Sequence, residues 1–273
     1  MHLSNLGSVL LLGCGKMGGA MLSGWLDRGL PAEAVTVVDP GPPPEIVDLI
    51  NRHGIKLASA PMHAEPAGTV IAAVKPQIMG EALTALSPTL LPDALVVSIA
   101  AGPTVVDLAR PLPDTARIVR AMPNTPAAIG QGITAAFAGP GVDGAEITAT
   151  DALLSAIGTV VWVADEALMD AVTAVSGSGP AYVFLLAECL AEAGVEAGLP
   201  ADIAAQLARA TVSGAGALLA ASDLPAGQLR QNVTSPNGTT AAALSVLMAE
   251  DGLKPLLWKA VATAKRRSAE LSG

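Results

Sequence analysis

A short apolar run, Val9–Leu12, passes directly into Gly13-Cys14-Gly15-Lys16-Met17-Gly18 and then into helical spacing through Met21, Leu22, Trp25 and Leu26. Strand, glycine turn and helix stand in the order a pyrophosphate site requires. Gly13 permits the tight turn, Gly15 admits phosphates against the backbone, and Gly18 lets the helix pack on the strand. Cys14, Lys16 and Met17 occupy the same turn and complete this group of candidate cofactor-binding residues. A second apolar run, Val35–Val38, ends in Asp39. An acidic side chain there hydrogen-bonds the ribose hydroxyls of NAD and repels an added phosphate, so Asp39 leans toward NADH. Pro40 and residues 41–44 can turn that carboxylate aside, and Lys16 can reach a phosphate. NADPH and NADH therefore both stay open.

The alternation continues. Residues 70–74, 95–99, 117–121 and 160–163 read as strands with helical or loop segments between them, which means a parallel sheet with helices on both faces. Several strands end in Lys75-Pro76-Gln77, Ala100-Ala101-Gly102 or Met122-Pro123-Asn124-Thr125-Pro126. Ligands of open α/β sheets sit beyond the carboxyl ends of the strands. Val74, Lys75, Pro76 and Ala100 are thus expected to line the cofactor site.

With 273 residues, 51% of them hydrophobic, the chain can build a core in each of two domains, expected at 1–164 and 165–273. Aromatic residues supply only 2% and the net charge is -9, which argues against a nucleic-acid partner. The basic cluster Lys265-Arg266-Arg267 reads as a solvated helix end. Leu11-Leu12-Gly13-Cys14 looks like a lipoprotein cleavage site, but no Lys or Arg precedes it, and the apolar run is shorter than the roughly 7–15 residues such a signal needs. No uninterrupted apolar stretch reaches the roughly 18 residues of a membrane span, since Glu188 breaks the best candidate. Cys14 and Cys189 form no metal-ligand spacing or disulfide framework, and His2, His53 and His63 do not cluster, so no metal is expected. A cytoplasmic protein is the expectation.

From Asp165 onward strand patterning gives way to alanine-rich helical periods. Ser176-Gly177-Ser178-Gly179-Pro180 reads as a break and restart, with Ser178 able to cap the next helix and Pro180 suited to its first turn. That helix runs to about residue 197, closed by Gly198 and Pro200, with Glu188, Glu192 and Glu196 on one solvated face. Further helices are expected over 201–221 and 253–271. So many small apolar faces are hard to bury within one copy, and a dimer interface is the natural solution. Between these helices, Ser235-Pro236-Asn237-Gly238-Thr239-Thr240 opens a new helical run near Thr240. A helix N-terminus leaves several N–H groups unpaired and carries roughly half a positive charge, so a carboxylate can dock there. Gly238 allows close approach, while Ser235, Thr239 and Thr240 offer hydroxyls. An ordinary helix cap is the commoner meaning of such a turn taken alone.

Taken together, Gly13–Gly18, Val74-Lys75-Pro76-Gln77, Ala100-Ala101-Gly102, Met122-Pro123-Asn124-Thr125-Pro126, Val175-Ser176-Gly177-Ser178-Gly179-Pro180-Ala181-Tyr182 and Val233-Thr234-Ser235-Pro236-Asn237-Gly238-Thr239-Thr240 closely resemble the pyrroline-5-carboxylate reductase family over nearly the whole chain. The last two motifs are the specific ones. The resemblance implies an N-terminal Rossmann domain and a helical C-terminal dimerisation domain. It also implies a homodimer or higher homo-oligomer whose active site is assembled between protomers. The implied reaction is hydride transfer from NAD(P)H to the C=N carbon of a cyclic imino acid, giving L-proline.

By the same resemblance the hydroxyl of Thr173 hydrogen-bonds the ring nitrogen and counts as catalytic, although a helix threonine bonding its own backbone is the plain alternative. Lys75 lines the nicotinamide side. Asp223 stands where the family often has Glu near the bound amine, and Asn237 where it usually has a second glycine. Asp39 replaces a small or basic residue. A sister reductase acting on another imine or a β-hydroxy acid predicts a catalytic Lys on a domain-linking helix, and residues 165–229 contain none. A non-catalytic dinucleotide sensor would keep Gly13–Gly18 without needing 235–240.

Overall fold

The computed structural model describes Leu3 and residues 6–272. The chain divides into two compact units, Met1–Gly177 with Lys265–Gly273, and Ser178–Ala264.

The first unit is built on an eight-stranded sheet. Its strands are β1 (Val9–Leu12), β2 (Val35–Val38), β3 (Lys56–Ala58), β4 (Ala67–Ala72), β5 (Leu90–Ser98), β6 (Arg117–Met122), β7 (Gly132–Ala138) and β8 (Gly158–Trp162), in the spatial order β3-β2-β1-β4-β5-β6-β7-β8. Order reverses beside β1, the topological switch of a doubly wound sheet where ligands collect. All neighbouring pairs are parallel except β6 and β7, which run antiparallel. The sequence expectation of a parallel sheet holds for its centre and is corrected at this one pairing. β3 and β7 are additions to the strands read from sequence.

The period-two geometry of a strand explains why these apolar runs are unbroken. Val9 and Leu11 of β1 join Met21, Leu22 and Trp25 of α1 (Lys16–Asp27), Ile50 of α2 (Pro44–His53) and Leu153 and Leu154 of α5 (Gly144–Leu154) in one core. Leu10 and Leu12 face the opposite way, into Met79, Leu83 and Leu86 of α3 (Pro76–Leu86) and Val105 and Leu108 of α4 (Val105–Ala109). The Trp25 indole N–H donates to the Leu153 carbonyl at 2.9 Å, so the largest core residue also satisfies its polar atom.

After β8 the chain enters a 3-10 turn (Glu166–Leu168), then α6 (Met169–Val172), then a π-helical turn over Thr173–Gly177. The π turn ends at Gly177, Ser178 is a bend, and the next helix restarts at Gly179 with Pro180 in its first turn, the break and restart expected from sequence. Ser178 has helical backbone and its side chain caps nothing, which corrects its expected role.

The second unit contains α7 (Gly179–Glu196), α8 (Ala201–Ala220), α9 (Ala226–Asn232), α10 (Thr239–Leu247) and most of α11 (Leu253–Ser272). Gly198, at φ +100, ends α7 and Pro200 precedes α8. α7 and α8 pack closely where a β-carbon on Gly194 would lie 3.1 Å from that of Ala204. No residue of α7, α9 or α10 is buried in the single chain, and Phe184 is 68% exposed. Two helical stretches, Glu166–Glu196 and Ala201–Ala220, are long and apolar enough to cross a membrane by length and composition, although charged residues interrupt both and neither is the uninterrupted apolar run that sequence excluded. Isolated acidic residues do not offset a composition this rich in Ala, Leu and Val.

Candidate active site

The carboxyl ends of β1, β2 and β4 open onto a cleft of about 790 Å³, within the range of small-molecule sites. Gly13, Gly15, Asp39, Val74 and Lys75 line it, as expected from sequence. The glycine turn fits a pyrophosphate on three counts. Gly13 sits at φ +89, and a β-carbon there would meet Val74 Cγ1 at 2.8 Å. A β-carbon on Gly18 would collide with the Gly13 carbonyl. Gly15 has nothing within 4 Å of such an atom, so the space beside its backbone is open to a ligand.

Asp39 is committed to this turn. Its Oδ2 accepts the Cys14 N–H at 2.7 Å and its Oδ1 accepts the Gly41 N–H at 2.8 Å. Two backbone amides thereby lock the carboxylate at the cleft wall beside Pro40. Buried beneath it, the Cys14 thiol is pushed up to about 12, by desolvation first and by the Asp39 charge second. It stays a neutral packing group. Cys14, Lys16 and Gly18 do not line the cleft; Lys16 is exposed and Gly18 buried.

A second cleft of about 300 Å³ shares Ala73, Val74 and Lys75 with the first and continues along Met17, Pro76, Ala100 and Ala101 to Met122 and Pro123. The remaining cofactor candidates Met17, Pro76 and Ala100 are gathered here. A β-carbon on Gly177 would lie 2.5 Å from the Met122 Cε, so the π turn presses on this cleft's wall. Thr173 opens that turn, and its hydroxyl donates to the Met169 carbonyl at 2.9 Å. Beyond the second cleft, the Thr104 hydroxyl and amide both bond Asp107, and those bonds hold its carboxyl below the usual range. This capping box fixes the start of α4.

In the second unit, Asn237 takes the left-handed conformation at φ +58, a geometry Asn accepts better than most residues. The Gly238 N–H donates to the Ser235 carbonyl at 3.0 Å, and a β-carbon on Gly238 would lie 2.5 Å from Ser235 Oγ. A side chain at 238 would therefore force the Ser235 hydroxyl out of its present position. Helical bonding begins with Ala242 N–H to Gly238 carbonyl, and no side chain caps α10. Thr239 and Thr240 thus present their amides at an uncapped helix start. Asp223 is exposed in the connection between α8 and α9.

Residues 8–102 match the family model described as NADP oxidoreductase coenzyme F420-dependent, and residues 166–271 match that described as pyrroline-5-carboxylate reductase dimerisation. Over 97% of its length the chain is 39% identical to the pyrroline-5-carboxylate reductase of Pseudomonas aeruginosa, covering 96% of that protein. The chain belongs to the pyrroline-5-carboxylate reductase family. The solved structure of a family member from Coxiella burnetii superposes with a TM-score of 0.91 at 34% identity, covering 98% of this chain and 100% of that one. The Plasmodium falciparum enzyme, solved with NADP bound, gives a TM-score of 0.81 at 28% identity, with 97% and 98% covered.

Membership in this reductase family gives the exposed apolar helices their meaning. The matched dimerisation region contains all of α7 to α10, which supports homo-oligomerisation through this half of the chain. Sequence reasoning missed Ser59, Ala60 and Pro61 on the cofactor cleft, together with Ile78, Glu81, Ala82 and Ala85 of α3. The first three follow β3 directly, so the strand-end rule that found Lys75 and Ala100 would have found them had that three-residue strand been legible.

Proposed function

We propose that this chain reduces the C=N bond of 1-pyrroline-5-carboxylate to give L-proline. The observation that carries this reading is the packing of the Thr173–Gly177 turn against Met122, which brings the candidate catalytic threonine beside the Ala100 cleft. NAD(P)H, when bound, supplies the hydride. Gly13 and Gly15 hold its pyrophosphate against the backbone, Asp39 faces the ribose, and Met17, Val74, Lys75, Pro76 and Ala100 flank the nicotinamide.

A pyrroline nitrogen is basic enough to be protonated near neutrality, so the substrate brings its own proton and its N–H seeks an acceptor. Thr173 suits that task. Its proton is committed to the Met169 carbonyl, which leaves the oxygen's lone pairs to receive the iminium N–H. The Thr173 bond to its own backbone is therefore compatible with a substrate contact. The carboxylate docks beside Gly238 on the amides of Thr239 and Thr240, with the hydroxyls of Ser235 and Thr240, each charge-assisted bond contributing about 1.5–3 kcal/mol. Asp223 serves the amine side with one methylene fewer than a glutamate. Positioning supplies most of the rate.

We further read residues 1–164 as the dinucleotide domain and 165–273 as the substrate and dimerisation domain of a cytosolic homodimer or larger assembly, with the substrate turn near the interface. NADH and NADPH both remain donors, with a lean toward NADH because Asp39 is pinned at the cleft and, among the described residues, the one cation lining it, Lys75, belongs to the strand end shared with the nicotinamide side. The test is the decay of reduced-nicotinamide absorbance with pyrroline-5-carboxylate, run in parallel with NADH and NADPH. Turnover with NADH is expected. No turnover with either, while cofactor still binds, would shift the reading to a sister reductase or a dinucleotide sensor.

A further inference from the structure

Glu166, Asp170 and Thr173 follow one another at i, i+4 and i+7, which places them along one side of their helical segment. The first two are each tied to a different element of the first unit. Glu166 Oε1 accepts the Val105 N–H at 2.8 Å, at the start of α4, and pairs with Arg120 Nη1 of β6 at 3.0 Å. Asp170 Oδ1 accepts the hydroxyl of Ser268 at 2.7 Å. Ser268 is buried and lies in the final part of α11, which belongs to the same unit. Three residues later the Leu271 carbonyl backs Gly102, 3.2 Å from where a β-carbon would stand, and Gly102 sits at φ +106. The loop Ala100-Ala101-Gly102 is thus braced at its far end by Leu271 and at the helix it feeds by Glu166.

Both braces rest on the short segment that leads into Thr173. The Arg120 side chain is only 5% exposed, and a pair so buried gains little stability, since desolvation offsets its Coulomb attraction. What such a contact fixes is position.

We propose that Glu166 and Asp170 are positioning residues for the reduction, holding the Thr173 turn in register with the Ala100–Gly102 loop so that the imine carbon meets the hydride donor. This rests on the roles assigned above to Thr173 and Ala100. Asp170 acts through Ser268 and the end of α11; Glu166 acts through α4 and Arg120.

The experiment compares wild type with Ser268→Ala, Asp170→Ala and Asp170→Asn in the full-length protein. It reads kcat and KM for both substrates, the primary isotope effect with nicotinamide-deuterated NADH, and hydrogen exchange of residues 100–105 without cofactor. Ser268→Ala and Asp170→Ala should lower kcat by on the order of ten- to a hundredfold and raise the isotope effect, with both KM values nearly unchanged. They should also speed exchange at 100–105. Asp170→Asn keeps an oxygen that accepts the Ser268 hydroxyl and should stay near wild type. Unchanged kcat and isotope effect in Ser268→Ala would overturn the proposal whatever happens to the melting temperature, and so would Asp170→Asn failing as badly as Asp170→Ala. Should Asp170→Ala not fold, Ser268→Ala decides, since it loses a single hydroxyl. Absence of turnover in the wild type would remove the assigned reaction itself, a result separable from an effect confined to the variants.

Discussion

Two helix starts in this chain carry the anion sites proposed above, and they are held in opposite ways. The turn before α1 is built by the sheet: the Gly13 N–H donates to the Val38 carbonyl at 2.8 Å, the Cys14 N–H to Asp39, and Gly18 presses on Gly13. Residues at the ends of β2 and β4 fix Gly13 and Cys14, and Gly18 packs back on Gly13. The turn before α10 is built by its own sequence, through Asn237 at φ +58, the Gly238 bond to Ser235 and the Thr234 hydroxyl on Arg230. A turn set by distant contacts cannot be altered without disturbing the fold, whereas one set locally can lose a ligand contact and stay folded.

The largest effect should come from forcing side chains into the sheet-held turn. Gly18→Val drives a β-carbon into a backbone carbonyl and should cost about 1–3 kcal/mol of stability while raising cofactor KM on the order of a hundredfold. Gly15→Ala is its control: nothing lies within 4 Å of the new methyl, so melting temperature should hold while cofactor KM still rises. Thermal melts beside cofactor titrations decide this. Equal melting losses in both variants would break the assignment of the open space beside Gly15 to phosphate.

The locally built turn should answer differently. Thr239 is the first residue of α10 and follows Gly238 in extended conformation, so a proline there is compatible with the helix. Thr239→Pro removes one amide from the carboxylate site and nothing else from the backbone. Substrate KM should rise by roughly ten- to a hundredfold, the effect of about 1.5–3 kcal/mol, with cofactor KM and melting temperature unmoved. Steady-state kinetics with each substrate varied in turn would show it. Parallel rises in both KM values would mean that the second turn, too, is held from afar.

A smaller, pH-dependent effect follows from Cys14. Its folded thiol lies at about 12 against an ordinary 9.0, so below pH 9 both states keep the proton and the full stability is present. Between 9 and 12 only the unfolded chain ionises there, and stability falls as pH rises, by roughly 2 kcal/mol near about pH 10.5. Denaturant melts across that window should show a slope that Cys14→Ala lacks. The buried Cys14 should resist alkylation while the protein stays folded.

The contrast also explains what could be read before any coordinates. β1, β2 and the glycine turn announce themselves because strands covered on both faces must be apolar without interruption. β7 carries Gly, Thr and three alanines among its seven residues, and gains strand geometry only from β6 and β8 on either side. β3 is too short to show a period. Ser176 to Pro180 holds every residue type of a helix break, and the chain does break at Ser178; what the residues did not announce is the π turn that leads into it, with Gly177 seated on Met122 where a larger residue would not fit. The turn at 235–240 was legible for the reason it is locally built: its geometry is written in adjacent residues. The braces on Glu166 and Asp170 join residues 61 and 98 positions away, and no local pattern encodes such partners.

Asp39 gives the finest test, because it is part of the sheet-held frame and also lines the cleft proposed for the cofactor. If its charge selects the cofactor, Asp39→Asn should raise the NADPH to NADH ratio of kcat/KM by about tenfold, a shift of about 1.4 kcal/mol. The amide retains an oxygen for one of the two backbone donors, so the glycine turn keeps part of its support. The same substitution removes the charge that helps raise the Cys14 thiol, so the high-pH loss of stability should still begin near 9.0 but level off somewhat short of about 12. Burial is the larger cause, so the stability profile should move little while the cofactor ratio moves clearly. A changed profile with an unchanged ratio would make Asp39 a splint for the glycine turn alone, and cofactor choice would then have to reside in the Ser59-Ala60-Pro61 wall opposite.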